Sequence, residues 1–236
     1  MARTPLWKSI AIALTADIAE SRYATGDRLP TEAQLAAKFG VNRHTVRRAL
    51  AEMADQGLVH ARRGAGVFVS ARPTDYPIGK RVRFHRNVAA GGQLPAKKLL
   101  ALDGRAADAR EAEALGLAPG DPVLVYDGLS LADNAPIALF RSTFPAAPFP
   151  GLRDALSETR SVTEALARCG VEDYTRRGTR ITAKQANATQ ALHLHVAEGA
   201  PILRTVGVNV DAEGRPVEYG RTWFAGDRVT LTIDGD

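Results

Sequence analysis

The sequence predicts an α+β protein of two domains: an N-terminal winged helix-turn-helix, then a mixed, largely antiparallel sheet domain. Three observations lead there. A chain of 236 residues is long for one minimal core and fits two modest ones. Apolar residues recur at helical spacing over the first 55 residues, whereas strand-like runs bounded by turn residues prevail beyond about residue 120. Charge is also divided unevenly: residues 1–72 hold 11 Lys or Arg against 6 Asp or Glu, and the rest is balanced at 20 against 20. The whole excess of +5 therefore sits in the first third, which suits a polyanion there and a smaller partner beyond it.

Composition excludes several classes. Apolar residues at 45% and charged residues at 24% are ordinary globular values, and no run approaches the ~20 apolar residues that span a bilayer. Asp17 and Glu20 interrupt the apolar N-terminal stretch, which reads as a helix rather than an export signal. Cys169, the single cysteine, can make neither an internal disulfide nor a thiolate metal site, as fits a cytoplasmic protein. His193 and His195 lack the partners of a familiar zinc pattern, so no metal is expected. Without a phosphate-loop lysine or a Gly-x-Gly-x-x-Gly motif, no nucleotide cofactor is expected either.

In the first domain, Trp7, Ile10, Ala11, Leu14 and Ile18 mark one face of a helix from Leu6 to about Arg22. Thr31 and Gln34 have the spacing of a capping box, opening a short helix that Gly40 ends. Asn42 then caps a third helix whose buried stripe is Val46, Ala49, Leu50 and Met53. Its other face carries Arg43, His44, Thr45 and Arg47. Arginines near a helix N-terminus suit the major groove, where Arg makes paired bonds to guanine, although a solvated helix is also often basic. Leu58–Ala61 and Val67–Val69 flank Arg62-Arg63-Gly64-Ala65-Gly66, a hairpin with a basic tip suited to phosphate or the minor groove.

Beyond a semi-extended linker at residues 73–80, the second domain is expected over residues 81–236. Helices are expected at Ala106–Leu115, Ser161–Arg168 (opened by a capping box at Ser161 and Glu164) and Lys184–Leu194. Strands are expected at Val123–Leu131, Ile137–Phe144 and Thr175–Ala183, followed by a meander of Ile202–Val210, Pro216–Phe224 and Val229–Ile233. Candidate ligand residues are Phe84 and His85 after the linker, then Arg141, Arg180 with Thr182, and Glu218 with Arg221 on three strands. Arg suits a phosphate, phosphonate or carboxylate, and Glu218 can accept from a ligand amine, so a small anionic or zwitterionic effector is expected.

The segment GDRLPTEAQLAAKFGVNRHTVRRALAEMADQGLVHARRGAGVFV closely resembles the DNA-binding domain of the GntR superfamily of regulators. That resemblance implies DNA contacts for Arg43, Thr45, Arg47, Arg63 and Gly64, with Glu32, Asn42, His44 and Arg62 beside them in the same motif. Ala33 stands where some members place a DNA-contacting arginine. The second half resembles the UTRA ligand-binding domain of the HutC-like subfamily, which has a chorismate-lyase-like fold. The resemblance is carried by Pro201-Ile202-Leu203-Arg204, by Arg180-Ile181-Thr182-Ala183, and by Gly214-Arg215-Pro216-Val217-Glu218-Tyr219 before Asp227-Arg228. It implies a homodimeric repressor on inverted-repeat operator DNA, with a phosphonate-related ligand; an amino-sugar phosphate or a carboxylate is the competing ligand class. The arginine pair that some sugar-phosphate sensors carry is replaced by Gly128 and Ser130. A chorismate-lyase-like enzyme is the reading from another class, though no acid-base set emerges to support it.

Overall fold

The apolar spacing at the N-terminus forms α1 (Leu6–Ala19), which buries Ile10, Ala11 and Leu14. The computed structural model describes residues 5–233 except Ser21, Thr25, Arg63, Ala71, Arg72 and Val82, and it has two compact units, Met1–Arg72 and Pro73–Asp236. Helix α1 ends short of Arg22, whose side chain instead ion-pairs with buried Asp17 at 2.8 Å. Thr31 and Gln34 form the expected reciprocal capping box on α2 (Glu32–Phe39), and Gly40 ends that helix at φ 64°. Asn42 caps α3 (Arg43–Asp55), and its four expected apolar residues are all buried. Strands β1 (Val59–Arg62) and β2 (Gly66–Val69) pair antiparallel. Backbone bonds between Gly26–Leu29 and Val67–Val69 tie the loop before α2 to that hairpin. The core joins all these pieces through Leu14, Leu29, Leu35, Met53, Val59 and Val69, side chains whose burial stabilises by about 1.5 to 3 kcal/mol each.

The second unit comprises β3 (Thr74–Pro77), α4 (Phe84–Ala90), β4 (Pro95–Ala106), α5 (Ala109–Leu115), β5 (Pro122–Ala132), β6 (Ala135–Pro145), α6 (Leu152–Thr159), α7 (Val162–Arg168), β7 (Thr175–Gln185), α8 (Ala188–Leu194), β8 (Pro201–Val210), β9 (Pro216–Ala225) and β10 (Val229–Thr232). Six strands form one antiparallel sheet in the order β4-β5-β6-β9-β8-β7. Asp133 and Asn134 turn β5 into β6 with both φ values positive, at 48° and 63°, the geometry that a two-residue hairpin favours. Helix α5 packs on Val123, Val125 and Tyr219, and α8 packs with Leu139, Ile202 and Trp223. The alternate residues Leu124, Tyr126, Phe140 and Phe144 pack with α6 and α7. The sheet is therefore covered on both faces, and its strands separate two sets of side chains.

Several expectations need correction. Residues Thr74–Pro77 lie in β3, paired in parallel with β10, so this part of the expected linker is built into the second unit. Strand β10 accordingly does not extend the β8–β9 meander. Buried Arg228, just before it, donates to the carbonyls of Pro136, Leu194 and His195, fixing the chain at the C-terminal end of α8. Helices α5 and α8 begin later than expected because Asp108 and Asn187 cap them. Ser161 accepts from the Glu164 amide, but the returning half of its capping box is missing. Three elements had no clear sequence signal: α4, β4 and α6. In β4 a register shift between Leu99 and Ala101 breaks the alternation that marks a strand.

Candidate nucleic-acid interface and ligand pocket

In the first unit, α3 carries Arg43, His44 and Arg47 exposed. The Asn42 side-chain Oδ1 accepts from the Thr45 amide at 2.8 Å and from the Thr45 hydroxyl at 3.0 Å, so both residues shape the start of the helix. The Arg47 Nε and Nη2 donate to the two Glu32 oxygens at 3.0 and 2.8 Å. This pair brings α2 to α3 and fixes where Arg47 points. The Glu32 carboxyl lies below its usual range, chiefly because of that Arg47 hydrogen bond. Gly64 turns the hairpin at φ 75°. Arg63 and the side chain of Arg62 lie outside the described residues. One basic residue was not anticipated: Arg28 lies against Gly66, where a Cβ would come within 2.7 Å of its Nε, adding an exposed cation to the wing. Its signal was Gly66 itself, a glycine that leaves room for a long neighbour.

In the second unit a cavity of about 590 Å³ opens on the sheet face away from α5 and α8. It takes Ser142 from β6, Glu218, Gly220 and Thr222 from β9, Thr205 and Asn209 from β8, and Arg176 and Thr179 from β7. Lys97 of β4, Thr163 of α7, Tyr174, and the segment from Arg83 to Arg86 complete the wall. Of the seven candidate ligand residues, Phe84, His85 and Glu218 line it.

The other four do not. Arg141 and Arg221 alternate with Ser142 and Thr222 and so face the opposite side. There Arg141 pairs with Asp127 at 2.6 Å, and Arg221 donates to Glu111 at 3.0 Å. Arg180 and Thr182 are exposed on the edge strand β7. A register shift between Arg176 and Gly178 brings Arg176 and Thr179, three residues apart, to the same side, which turns Arg180 and Thr182 away from the cavity. Strict alternation cannot show such a slip.

Cations dominate the cavity wall. Arg83 lies 3.7 Å over the Tyr174 ring and donates through Nη2 to Asp173 and to the Tyr174 carbonyl, both at 2.9 Å. Its Nη1 is buried with no acceptor among the described residues, as is the Arg176 Nε. Arg176 lies flat over Gly207, where an added Cβ would sit 2.9 Å from its Cδ. Burial pushes the Lys97 ammonium down to about 8, against a weaker upward pull from Glu218. Burial and then Lys97 lower the His85 imidazole. Burial raises the Tyr174 phenol, which pairs with Thr163 at 2.9 Å. Glu218 accepts from Ser142 and from Asn209, each at 2.5 Å, so it organises the floor and both of its oxygens are already engaged within the protein. At the rim, the segment Lys80–Arg83 is tied across to Asp173–Arg176: Arg81 pairs with Asp173 at 2.6 Å and the Arg176 amide bonds the Lys80 carbonyl at 2.7 Å.

Residues 6–69 match the family described as bacterial regulatory proteins, gntR family, and residues 90–230 match the UTRA domain. The chain belongs to the GntR family. It is a transcriptional regulator of the HutC-like, UTRA-bearing type, not an enzyme, and regulators of this type bind operator DNA. The GntR chain is 39% identical to the uncharacterized HTH-type transcriptional regulator RB1450 of Rhizobium meliloti, over 97% of its length and 94% of that protein. It is 32% identical to the probable transcriptional regulator PhnF of Escherichia coli, with the same coverage of each chain. The crystal structure of PhnF from Mycobacterium smegmatis superposes with a TM-score of 0.69 at 27% identity, covering 96% of this chain and 99% of that one. Among the described residues, no helix is long and apolar enough to cross a membrane, and no three His, Cys, Asp or Glu side chains gather as a metal site.

Proposed function

We propose that this GntR regulator is a homodimeric, cytoplasmic repressor of phosphonate uptake or metabolism genes, released from its operator by a small phosphonate- or phosphate-like anion. The observation that carries the ligand class is the pair of buried, acceptor-less N–H groups, Arg83 Nη1 and Arg176 Nε, on side chains lining one cavity. Buried donors are rarely left unpaired, and a tetrahedral oxyanion supplies several acceptors to arginine forks at once. The likeness to PhnF supports the gene class. In the first unit, Arg43, His44 and Arg47 would read base edges, while Arg28, Arg62, Arg63 and the Gly64 turn would meet the backbone or minor groove. Two such units on a dimer fit an inverted repeat with half-sites about one helical turn apart.

An anion on Arg83 and Arg176 would also pull on the rim. Arg83 belongs to the segment that follows β3, and β3 follows directly on Pro73, where the second unit begins. Ligand would thus shift the balance between dimers that fit the operator spacing and dimers that do not.

The test is binding to DNA upstream of the protein's own gene cluster, at fixed salt, against scrambled DNA, with methylphosphonate, 2-aminoethylphosphonate, inorganic phosphate or glucosamine 6-phosphate added. Sequence-preferring binding weakened by a phosphonate is the expected result; weakening by the amino-sugar phosphate alone would move the protein to that ligand class. Arg47→Ala should cost about 1 to 3 kcal/mol on operator and far less on scrambled DNA. An equal loss on both would remove Arg47 as a base reader.

A further inference from the structure

The cavity holds two kinds of cation, and they differ in a way that an anion site alone does not need. Arg83 is fixed by Asp173 and the Tyr174 carbonyl, and a guanidinium stays charged at any physiological pH. Lys97 is fixed by nothing polar. Among the described residues it has no hydrogen-bond or ion-pair partner, and its Nζ sits among aromatic rings, 4.7 Å from the centre of Phe140, 5.5 Å from Phe84 and 6.0 Å from Tyr126. Gly128 keeps this cage closed, because a Cβ there would come 2.6 Å from Phe140 Cζ and push the ring away. By contrast, Lys38 in the first unit has Asp17 at 3.2 Å.

We infer that Lys97 captures a carbonyl: the ligand is an aldehyde or ketone that also carries a phosphate or phosphonate, with the anion on Arg83 and Arg176 and the carbonyl carbon bound to Lys97 Nζ as an imine. This rests on the anion reading proposed above. Aromatic walls tolerate the ammonium through their faces and the neutral amine through dispersion, so they do not hold the proton in place. With its ammonium pushed down to about 8, a fraction of Lys97 near neutral pH is free amine and nucleophilic, as for a lysine desolvated in an apolar pocket.

The step is balanced without an oxidant or a reductant. The amine lone pair adds to the carbonyl carbon, giving a carbinolamine. Its hydroxyl then leaves as water, carrying away both amine hydrogens in net terms, and the C=N bond forms. Hydrolysis reverses the step, as a sensor requires. Division of labour follows from the side chains: permanent cations hold the permanent charge, and the titrating amine holds the neutral electrophile.

The experiment treats the full chain with glycolaldehyde phosphate and sodium cyanoborohydride, then maps lysine adducts by peptide mass spectrometry. Ethyl phosphate, which has no carbonyl, serves as competitor and as a separate thermal-shift ligand. The expected result is a reduced adduct on Lys97 at about tenfold the occupancy of exposed Lys80, Lys98 or Lys184, suppressed by excess ethyl phosphate. Lys97→Arg, which keeps the charge but cannot form an imine, should lose the adduct. Stabilisation by ethyl phosphate with no preference for Lys97 in labelling overturns the imine and leaves the anion pocket standing. Absence of any response to either phosphate overturns the anion reading and the imine with it.

Discussion

The helix-turn-helix unit and the sheet unit make different uses of charge. In the first, the candidate contacts fall within Arg28–Gly64, and the ion pair between Arg47 and Glu32 leaves the two side chains 63% and 32% accessible. In the second, one buried carboxylate on the sheet is bound several times over. Glu111, fully inaccessible, accepts from Arg105 twice at 2.7 Å, from Thr143 at 3.1 Å and from Arg221 at 3.0 Å. A surface that must grip DNA keeps its arginines loosely held, since an exposed pair contributes little and is released at little cost. The sheet locks this carboxylate and its arginines on the face opposite the cavity.

The largest effect should come from breaking that lock. Glu111→Ala leaves Arg105 and Arg221 without their shared carboxylate and should destabilise the second unit by about 3 kcal/mol, reduced from the deeply buried case because both arginines keep some solvent. Glu32→Ala should cost under about 1 kcal/mol. Similar losses in denaturant melts would erase the contrast between the units. The pH dependence sharpens it. Burial raises the Glu111 carboxyl, but the bonds from Arg105, the Asp108 amide and Thr143 outweigh this and hold it at about 2. Its contribution is therefore complete above about 4.5 and lost as pH falls towards 2. Acid unfolding of Glu111→Gln should lack that portion of the slope.

This contrast also explains how much was legible in the sequence. Helix periodicity, the Thr31–Gln34 capping box and the Asn42 cap are local, so α1 to α3 follow from neighbours three or four residues apart. The cavity is not local. Its wall is drawn from ten strands and helices, and the face each strand residue occupies depends on register. Glu218 was chosen as an acceptor for a ligand amine and does line the cavity, although Ser142 and Asn209 already engage its oxygens. Arg176 was missed because the slip beside it is invisible without the partner strand, and Lys97 because β4 carries no alternating pattern. Arg141 and Arg221 were chosen for their chemistry and lost to the period of two, which sent them to the face where Asp127 and Glu111 wait.

An intermediate effect should separate the units functionally. Arg176→Ala removes one of the cavity's two buried acceptor-less N–H groups and should weaken the ligand response by about tenfold or more, the worth of a charge-assisted bond, with ligand-free DNA affinity unchanged. Gly207→Ala should act in the same direction, because its Cβ meets the Arg176 side chain and, at 2.7 Å, the Gly178 carbonyl oxygen, shifting β7 against β8. Titrating DNA release with ligand reads both variants. A loss of ligand-free DNA binding in either would show that the pocket shapes the DNA-binding state even when empty.

The smallest effect decides what Asn42 does. It is a DNA-binding candidate beside the family's contact residues, yet its side-chain oxygen is already engaged by the Thr45 amide and hydroxyl. Asn42→Ala should cost about 1 kcal/mol of stability in the first unit and weaken operator and scrambled DNA alike, by fraying the start of α3. Asn42→Ser keeps a neutral N-cap but shortens the reach of the side chain. If capping is the whole role, Asn42→Ser melts like the parent and binds operator within about twofold, because the arginines that follow are still presented at the same angle. A loss of operator affinity at unchanged melting temperature would instead place the Asn42 amide nitrogen on the DNA, making it a cap and a contact at once.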